Sequence, residues 1–151
     1  MPFRNVFRNS FHYWALSGAL IAAFIYSPSS SAAQDPNPLF LYPGLLLFAI
    51  GELGNLQSHL TLMGLRSSGG SERGIPHGPF FNLVTCPNYL FEAISWIGFY
   101  LVSGLSWGVL IFTLVSVAQM AQWAKKKERR YRKEFGDKYK KKRYTMLPGI
   151  W

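Results

Sequence analysis

The sequence predicts an all-α, polytopic membrane bundle: about four transmembrane helices followed by a basic cytosolic C-terminal helix. Three observations carry that expectation. The chain is 49% hydrophobic and 17% aromatic with 15% charged residues, which is apolar for a soluble domain of this size. Its sixteen Lys and Arg fall in three clusters: Arg4 with Arg8, Arg66 with Arg73, and twelve from Lys125 to Arg143. Between the clusters lie charge-poor stretches long enough for a hydrocarbon core of ~30 Å, or about 20 helical residues. The net charge of +9 therefore reads as a membrane-protein distribution and not as a nucleic-acid footprint. A single cysteine, Cys86, excludes an internal disulfide and with it a stapled secreted domain.

Taken in order, residues 1–10 are short and basic, and residues 11–33 carry no charge. Pro28 and the serines around it predict a helix end near Tyr26. His12, Tyr13 and Trp14 stand where an aromatic interfacial belt is expected. The apolar run is not followed by a small-residue cleavage site, which argues against a signal peptide. Gln34-Asp35-Pro36-Asn37-Pro38 is a turn rich in helix breakers.

Residues 39–65 form the second apolar span, interrupted by Glu52, Asn55, Gln57 and His59. Glu52, Asn55 and His59 are spaced by three and four, so they share one helix face. That face is expected to look into the bundle or a wet cavity, because polar groups facing lipid are expensive. Interhelical hydrogen bonding, helped by close approach at Gly51 and Gly54, accounts for the same spacing equally well. Residues 66–81 read as an irregular loop with four glycines, Arg66 and Arg73. It is either a phosphate cradle or a plain surface loop.

Residues 93–124 are uncharged and as one helix would be ~48 Å long, overshooting the bilayer core. Ser103-Gly104 and Ser106 offer a break, giving two helices in a hairpin. With that break all three basic clusters reach one side of the membrane, as the positive-inside tendency favours. Both termini are then cytosolic. Residues 125–151 leave the membrane as a basic helix whose Lys and Arg suit anionic lipid.

The familiar catalytic signatures CxxC, HExxH and the Walker lysine loop do not occur. Cys86 has no adjacent His-Asp pair to activate it, and the three histidines are far apart, so no metal site is expected. What remains is a polar set at helix ends: Asn55, His59, Arg66, Asn88, Tyr89, Glu92, Lys127 and Tyr131. Pro87 suits a first helical position, which stacks Asn88 and Glu92 at i and i+4. Cations suit an anionic ligand, amides and carboxylates suit its N–H and O–H groups, and a phenol can deliver a proton. The mixture fits a nucleotide entering a helical bundle, with an apolar substrate arriving from the bilayer.

Several segments, in order, carry a family resemblance. They begin with Pro2-Phe3-Arg4-Asn5-Val6-Phe7-Arg8-Asn9, then Gly54-Asn55 with His59, Leu65-Arg66 and Ile75-Pro76. Cys86-Pro87-Asn88-Tyr89 with Glu92 follows, then Ser95-Trp96-Ile97-Gly98-Phe99 and Gln122-Trp123-Ala124-Lys125-Lys126-Lys127. Tyr131-Arg132-Lys133-Glu134-Phe135 and Leu147-Pro148-Gly149 complete the set. Residues 1–151 thus resemble the C-terminal half of the very-long-chain enoyl-CoA reductases, membrane enzymes of the steroid 5α-reductase superfamily. Those proteins are about twice this long, so the resemblance implies a chain that lacks their N-terminal half.

The resemblance implies NADPH as hydride donor and a trans-2-enoyl thioester as acceptor, in the last step of fatty-acid elongation. It implies an endoplasmic reticulum location, an acyl-CoA substrate, contact with membrane lipid and with other elongation-cycle enzymes, and no nucleic acid. By family position Tyr89 resembles the proposed proton donor. Asn55, Arg66, Asn88, Glu92 and Tyr131 resemble positions that hold the nicotinamide nucleotide. His59 and Lys127 occupy cofactor-facing positions but differ in type from the steroid-reducing branch. Two alternatives stand beside this one: a non-enzymatic membrane scaffold or lipid-binding fragment, and a sterol or polyprenol reductase of the same fold.

Overall fold

The computed structural model describes residues 3–30, 36–65, 74–139 and 144–150. Among these the secondary structure is helical: α1 (Phe3–Ser10), a π-helical stretch (Phe11–Leu20), α2 (Ile21–Ile25), α3 (Pro38–Gly64), α4 (Pro87–Val102) and α5 (Trp107–Phe135). A 3₁₀ turn, Gly136–Lys138, follows α5. The extended contact among the described residues is a single parallel bridge, Val84 to Tyr144. Two helices, Pro38–Gly64 and Trp107–Lys138, are long and apolar enough to cross a membrane. The fold class is the all-α membrane bundle that the composition predicts. Arg66, Arg73 and the basic segment 140–143 lie outside the described residues.

Local chemistry explains the helix ends. Asn37 caps α3, its Oδ1 accepting the Leu39 N–H at 3.0 Å, and Pro38 takes the first helical position, where its missing N–H is no loss. Residues 93–124 break as expected. Gly104 (φ 67°) follows α4 in the left-handed region, its N–H bonds the Leu101 carbonyl at 3.1 Å, and the Leu105 N–H bonds the Tyr100 carbonyl at 3.1 Å. This is the paired closure of a Schellman motif, and glycine adopts it without a Cβ penalty. The first helix ends at Ile25, with Tyr26 as its cap.

The chain divides into two compact units, Met1–Phe48 with Trp96–Ser116, and Ala49–Ser95 with Val117–Trp151. In the first, Ile21, Val109 and Phe112 are buried together, with Leu16, Ile25, Trp96, Phe99 and Tyr100 against them. Trp96 and Phe112 rings lie 4.4 Å apart. A Cβ at Gly98 would fall 2.7 Å from the Gly44 carbonyl, so small residues let these backbones touch.

In the second unit Cys86, Ala93, Met120, Ala124 and Met146 form the core, joined by Tyr89, Val117, Ala121 and Leu147. Gly51 and Gly54 bring α3 onto α4. A Cβ on Gly51 would lie 2.7 Å from the Phe91 carbonyl, and one on Gly54 would overlap the Phe91 ring. The C-terminal tail runs beside the loop before α4: Thr85 N–H bonds the Tyr144 carbonyl at 3.1 Å and Cys86 N–H bonds the Thr145 carbonyl at 3.0 Å. Met146, fully buried, pins that tail into the core.

Candidate functional site

A cavity of about 440 Å³ lies wholly within the second unit, lined by His59, Leu62, Met63, Leu65, Gly74, Asn88, Tyr89, Glu92, Lys127 and Tyr131. Each wall follows from sequence. α4 supplies Asn88, Tyr89 and Glu92 because Pro87 starts the helix and i, i+4 spacing aligns Asn88 with Glu92. The Cys86 carbonyl closes the first turn, accepting Tyr89 N–H at 3.1 Å and Leu90 N–H at 3.3 Å. α5 supplies Lys127 and Tyr131, again one turn apart, with the Lys127 ammonium 5.8 Å from the Tyr131 ring centre. The C-terminal end of α3 supplies His59 and the apolar floor of Leu62 and Met63.

The site joins one acid, one cation, an amide, an imidazole and two phenols on an apolar wall. Asn88 is 5% exposed, and its Oδ1 has no hydrogen-bond partner among the described residues. A buried amide oxygen left unpaired is costly, and a ligand N–H would satisfy it. Tyr89 lies against Trp123, ring centres 6.4 Å apart. Below it the Cys86 thiol is completely buried, and burial pushes its pKa up to about 11, with Lys127 pulling the other way. A neutral buried thiol is no nucleophile. Among the described residues no group of His, Cys, Asp or Glu could hold a metal ion.

The structure thus brings together six residues of the sequence-derived set: His59, Asn88, Tyr89, Glu92, Lys127 and Tyr131. Asn55 is not among the lining residues. It stands behind them, its Nδ2 donating to the Asn88 carbonyl at 3.0 Å, which is the interhelical role the spacing also allowed. Glu52, on the same helix, is exposed. Arg66 lies outside the described residues. Such a set can hold a ligand that offers N–H or O–H groups to Asn88 and Glu92 and negative charge to Lys127.

Sequence reasoning missed a buried knot beside the cavity. Glu128 is 5% exposed. Its carboxylate accepts hydrogen bonds from the Thr85 hydroxyl, from the Tyr139 phenol at 2.8 Å and from Arg132 Nε at 3.1 Å. Burial raises the Tyr139 phenol pKa well above its ordinary value, which keeps it a donor. Met120, Ala124, Glu128 and Tyr131 fall at helical intervals on one buried stripe, but the basic residues around Glu128 give it the look of a solvated charge.

The family described as 3-oxo-5-alpha-steroid 4-dehydrogenase matches residues 1–151. A very-long-chain enoyl-CoA reductase of Dictyostelium discoideum is 44% identical over 150 residues, covering 98% of this chain and 48% of that protein. Steroid 5-alpha-reductases of Solanum lycopersicum and Arabidopsis thaliana are 35% and 32% identical over 108 residues, 72% of this chain and 41% of each relative. The chain spans about half the length of the relatives it matches.

Proposed function

Because the chain belongs to the 3-oxo-5-alpha-steroid 4-dehydrogenase family, we propose that it reduces a carbon–carbon double bond as the C-terminal half of a very-long-chain enoyl-CoA reductase. The observation that carries this reading is the single cavity shared by Asn88, Tyr89, Glu92, Lys127 and Tyr131. Its substrate is a trans-2-enoyl thioester, its cofactor NADPH, and its setting the last reduction of fatty-acid elongation at the endoplasmic reticulum. Four spans with cytosolic termini would put the three basic clusters on one side, where membrane lipid, acyl-CoA and other elongation-cycle enzymes are its partners.

NADPH, when bound, supplies the hydride that adds to Cβ of the enoyl thioester. The chain's own residues do the rest. Asn88, Glu92 and Lys127 would hold the cofactor: the Asn88 amide oxygen and the Glu92 carboxylate would accept from its N–H and O–H groups, and Lys127 would answer its negative charge. Asn55 holds Asn88 in place from behind. Tyr89 delivers the proton: its O–H bond breaks, a Cα–H bond forms, and solvent reprotonates the phenolate left behind. The double bond thereby gains one hydrogen on each carbon.

The deciding experiment is purified chain in detergent, given NADPH and a long trans-2-enoyl-CoA, alone and with the N-terminal half of a longer relative supplied in trans. Saturated acyl-CoA formed in step with NADPH loss supports the reading, and neither binding nor turnover in both arms defeats it. The steroid 5-alpha-reductase matches over 72% of the chain favour a second reading, reduction of a 3-oxo-4-ene steroid. Offering both substrates to one preparation separates the two.

A further inference from the structure

The buried carboxylate beside the cavity has no part in the chemistry above, yet it ties together the two helices that carry the chemistry. Glu128 sits on α5 one residue after Lys127 and three before Tyr131, both of which line the cavity. Across from it, Thr85 donates its hydroxyl to Glu128 Oε2. Thr85 is followed by Cys86, whose carbonyl closes the first turn of α4 and so fixes Asn88 and Tyr89. Tyr139 donates to the same Oε2 at 2.8 Å and lies 3.0 Å from the Thr85 hydroxyl. It ends the helical tail whose later residues, Tyr144 and Thr145, receive the Thr85 and Cys86 N–H groups.

We infer that Glu128 is a positioning residue for this cavity: its carboxylate locks the Thr85–Cys86 loop and the C-terminal tail against α5, which sets Asn88 and Tyr89 opposite Lys127 and Tyr131. The inference rests on the cofactor reading of the cavity. A surface ion pair with Arg132 would not need Thr85 and Tyr139, because exposed pairs hold geometry weakly. A buried carboxylate is held in place by every donor it has, since losing one leaves charge under-partnered. Carboxylate geometry also explains the residue type. One oxygen takes the two hydroxyls from the loop and the tail, and the other faces the guanidinium of Arg132. Alanine removes all three contacts, whereas glutamine keeps an acceptor for the hydroxyls.

Cys86, the single cysteine of the chain, makes a local reporter. The test compares wild type, Glu128→Ala, Glu128→Gln and Val109→Ala in detergent, all well below their melting temperatures. Val109 is buried in the other unit and controls for general loss of stability. Each variant is labelled with a small maleimide and titrated with NADPH by nicotinamide fluorescence. Glu128→Ala is expected to label at least ~10-fold faster and to bind NADPH at least ~10-fold more weakly. Glu128→Gln should recover most of both, and Val109→Ala should stay within about twofold of wild type on each. Labelling of Glu128→Ala at the wild-type rate overturns the lock. Faster labelling with undiminished NADPH affinity overturns its role in positioning. Wild type that binds no NADPH defeats the cofactor reading, and the positioning role falls with it even where the labelling shows the lock itself.

Discussion

The side-chain amide of Asn55 donates a 3.0 Å hydrogen bond to the main-chain carbonyl of Asn88. That bond crosses from α3 to the first turn of α4, beside the buried Asn88 amide oxygen, which has no partner among the described residues. Removing it loosens the turn that carries both Asn88 and Tyr89. Asn55→Ala is expected to lower stability by about 1 kcal/mol, the net worth of one such bond, and to weaken NADPH binding as well. Chemical denaturation in mixed micelles reads the first effect and fluorescence titration the second. Stability and affinity equal to wild type would show that the bond does not hold the site.

Gly54 faces the Phe91 ring with no room for a Cβ. Even Gly54→Ala must push the ring or the helix aside, and overpacking of this kind costs about 1–3 kcal/mol. Helix propensity alone would favour alanine by about 1 kcal/mol, so the two effects oppose one another. Contact wins, and the variant is expected to melt lower than wild type. A melting temperature at or above wild type would mean that α3 and α4 can separate slightly at no loss.

How much was legible in the sequence follows from these contacts. Charge-free runs and the Ser103-Gly104 break are properties of neighbours in the chain, so the helices and the hairpin between α4 and α5 could be read directly. The polar residues of the cavity stood out because ionisable groups are rare in apolar helices. Glu128 did not stand out, since it lies among twelve basic residues and looks like one more solvated charge. Its burial depends on Thr85 and Tyr139, which are 43 and 11 residues away along the chain, and on a tail that returns to the loop before α4. Nothing local marks such a return. The choice between Asn55 as ligand contact and Asn55 as interhelical tie was equally beyond spacing, because both place it on the same face.

Cys86 is buried and its pKa is raised from 9.0 to about 11. A thiol whose pKa rises stays neutral further up the pH scale, so at pH 7–8 the reactive thiolate fraction is far below that of a free cysteine. Wild-type chain is therefore expected to react with iodoacetamide at least ~10-fold more slowly than the unfolded chain at pH 8. The native rate should keep climbing beyond pH 9, where the unfolded rate levels off. Intact-mass measurement over a pH series follows both. A native rate that plateaus near pH 9 would contradict the shift.

Tyr89 and Glu92 share α4 and the cavity, and their proposed roles separate kinetically. Tyr89→Phe keeps the ring against Trp123 and removes the acidic proton, so turnover of a trans-2-enoyl-CoA should fall by ~10²-fold or more, the usual contribution of a positioned acid. NADPH affinity should stay within about twofold, because the phenol acts on the substrate carbon. Glu92→Gln should do the reverse. Losing a charged acceptor weakens cofactor binding by about 1.5–3 kcal/mol, or roughly 10–100-fold, while leaving turnover at saturating NADPH closer to wild type. Steady-state kinetics with NADPH varied, on a preparation that turns over, reads kcat and KM for both variants. The informative failure is a shared pattern. If both variants lose affinity and keep kcat, Tyr89 is a binding residue, and the proton must come from another group in the cavity.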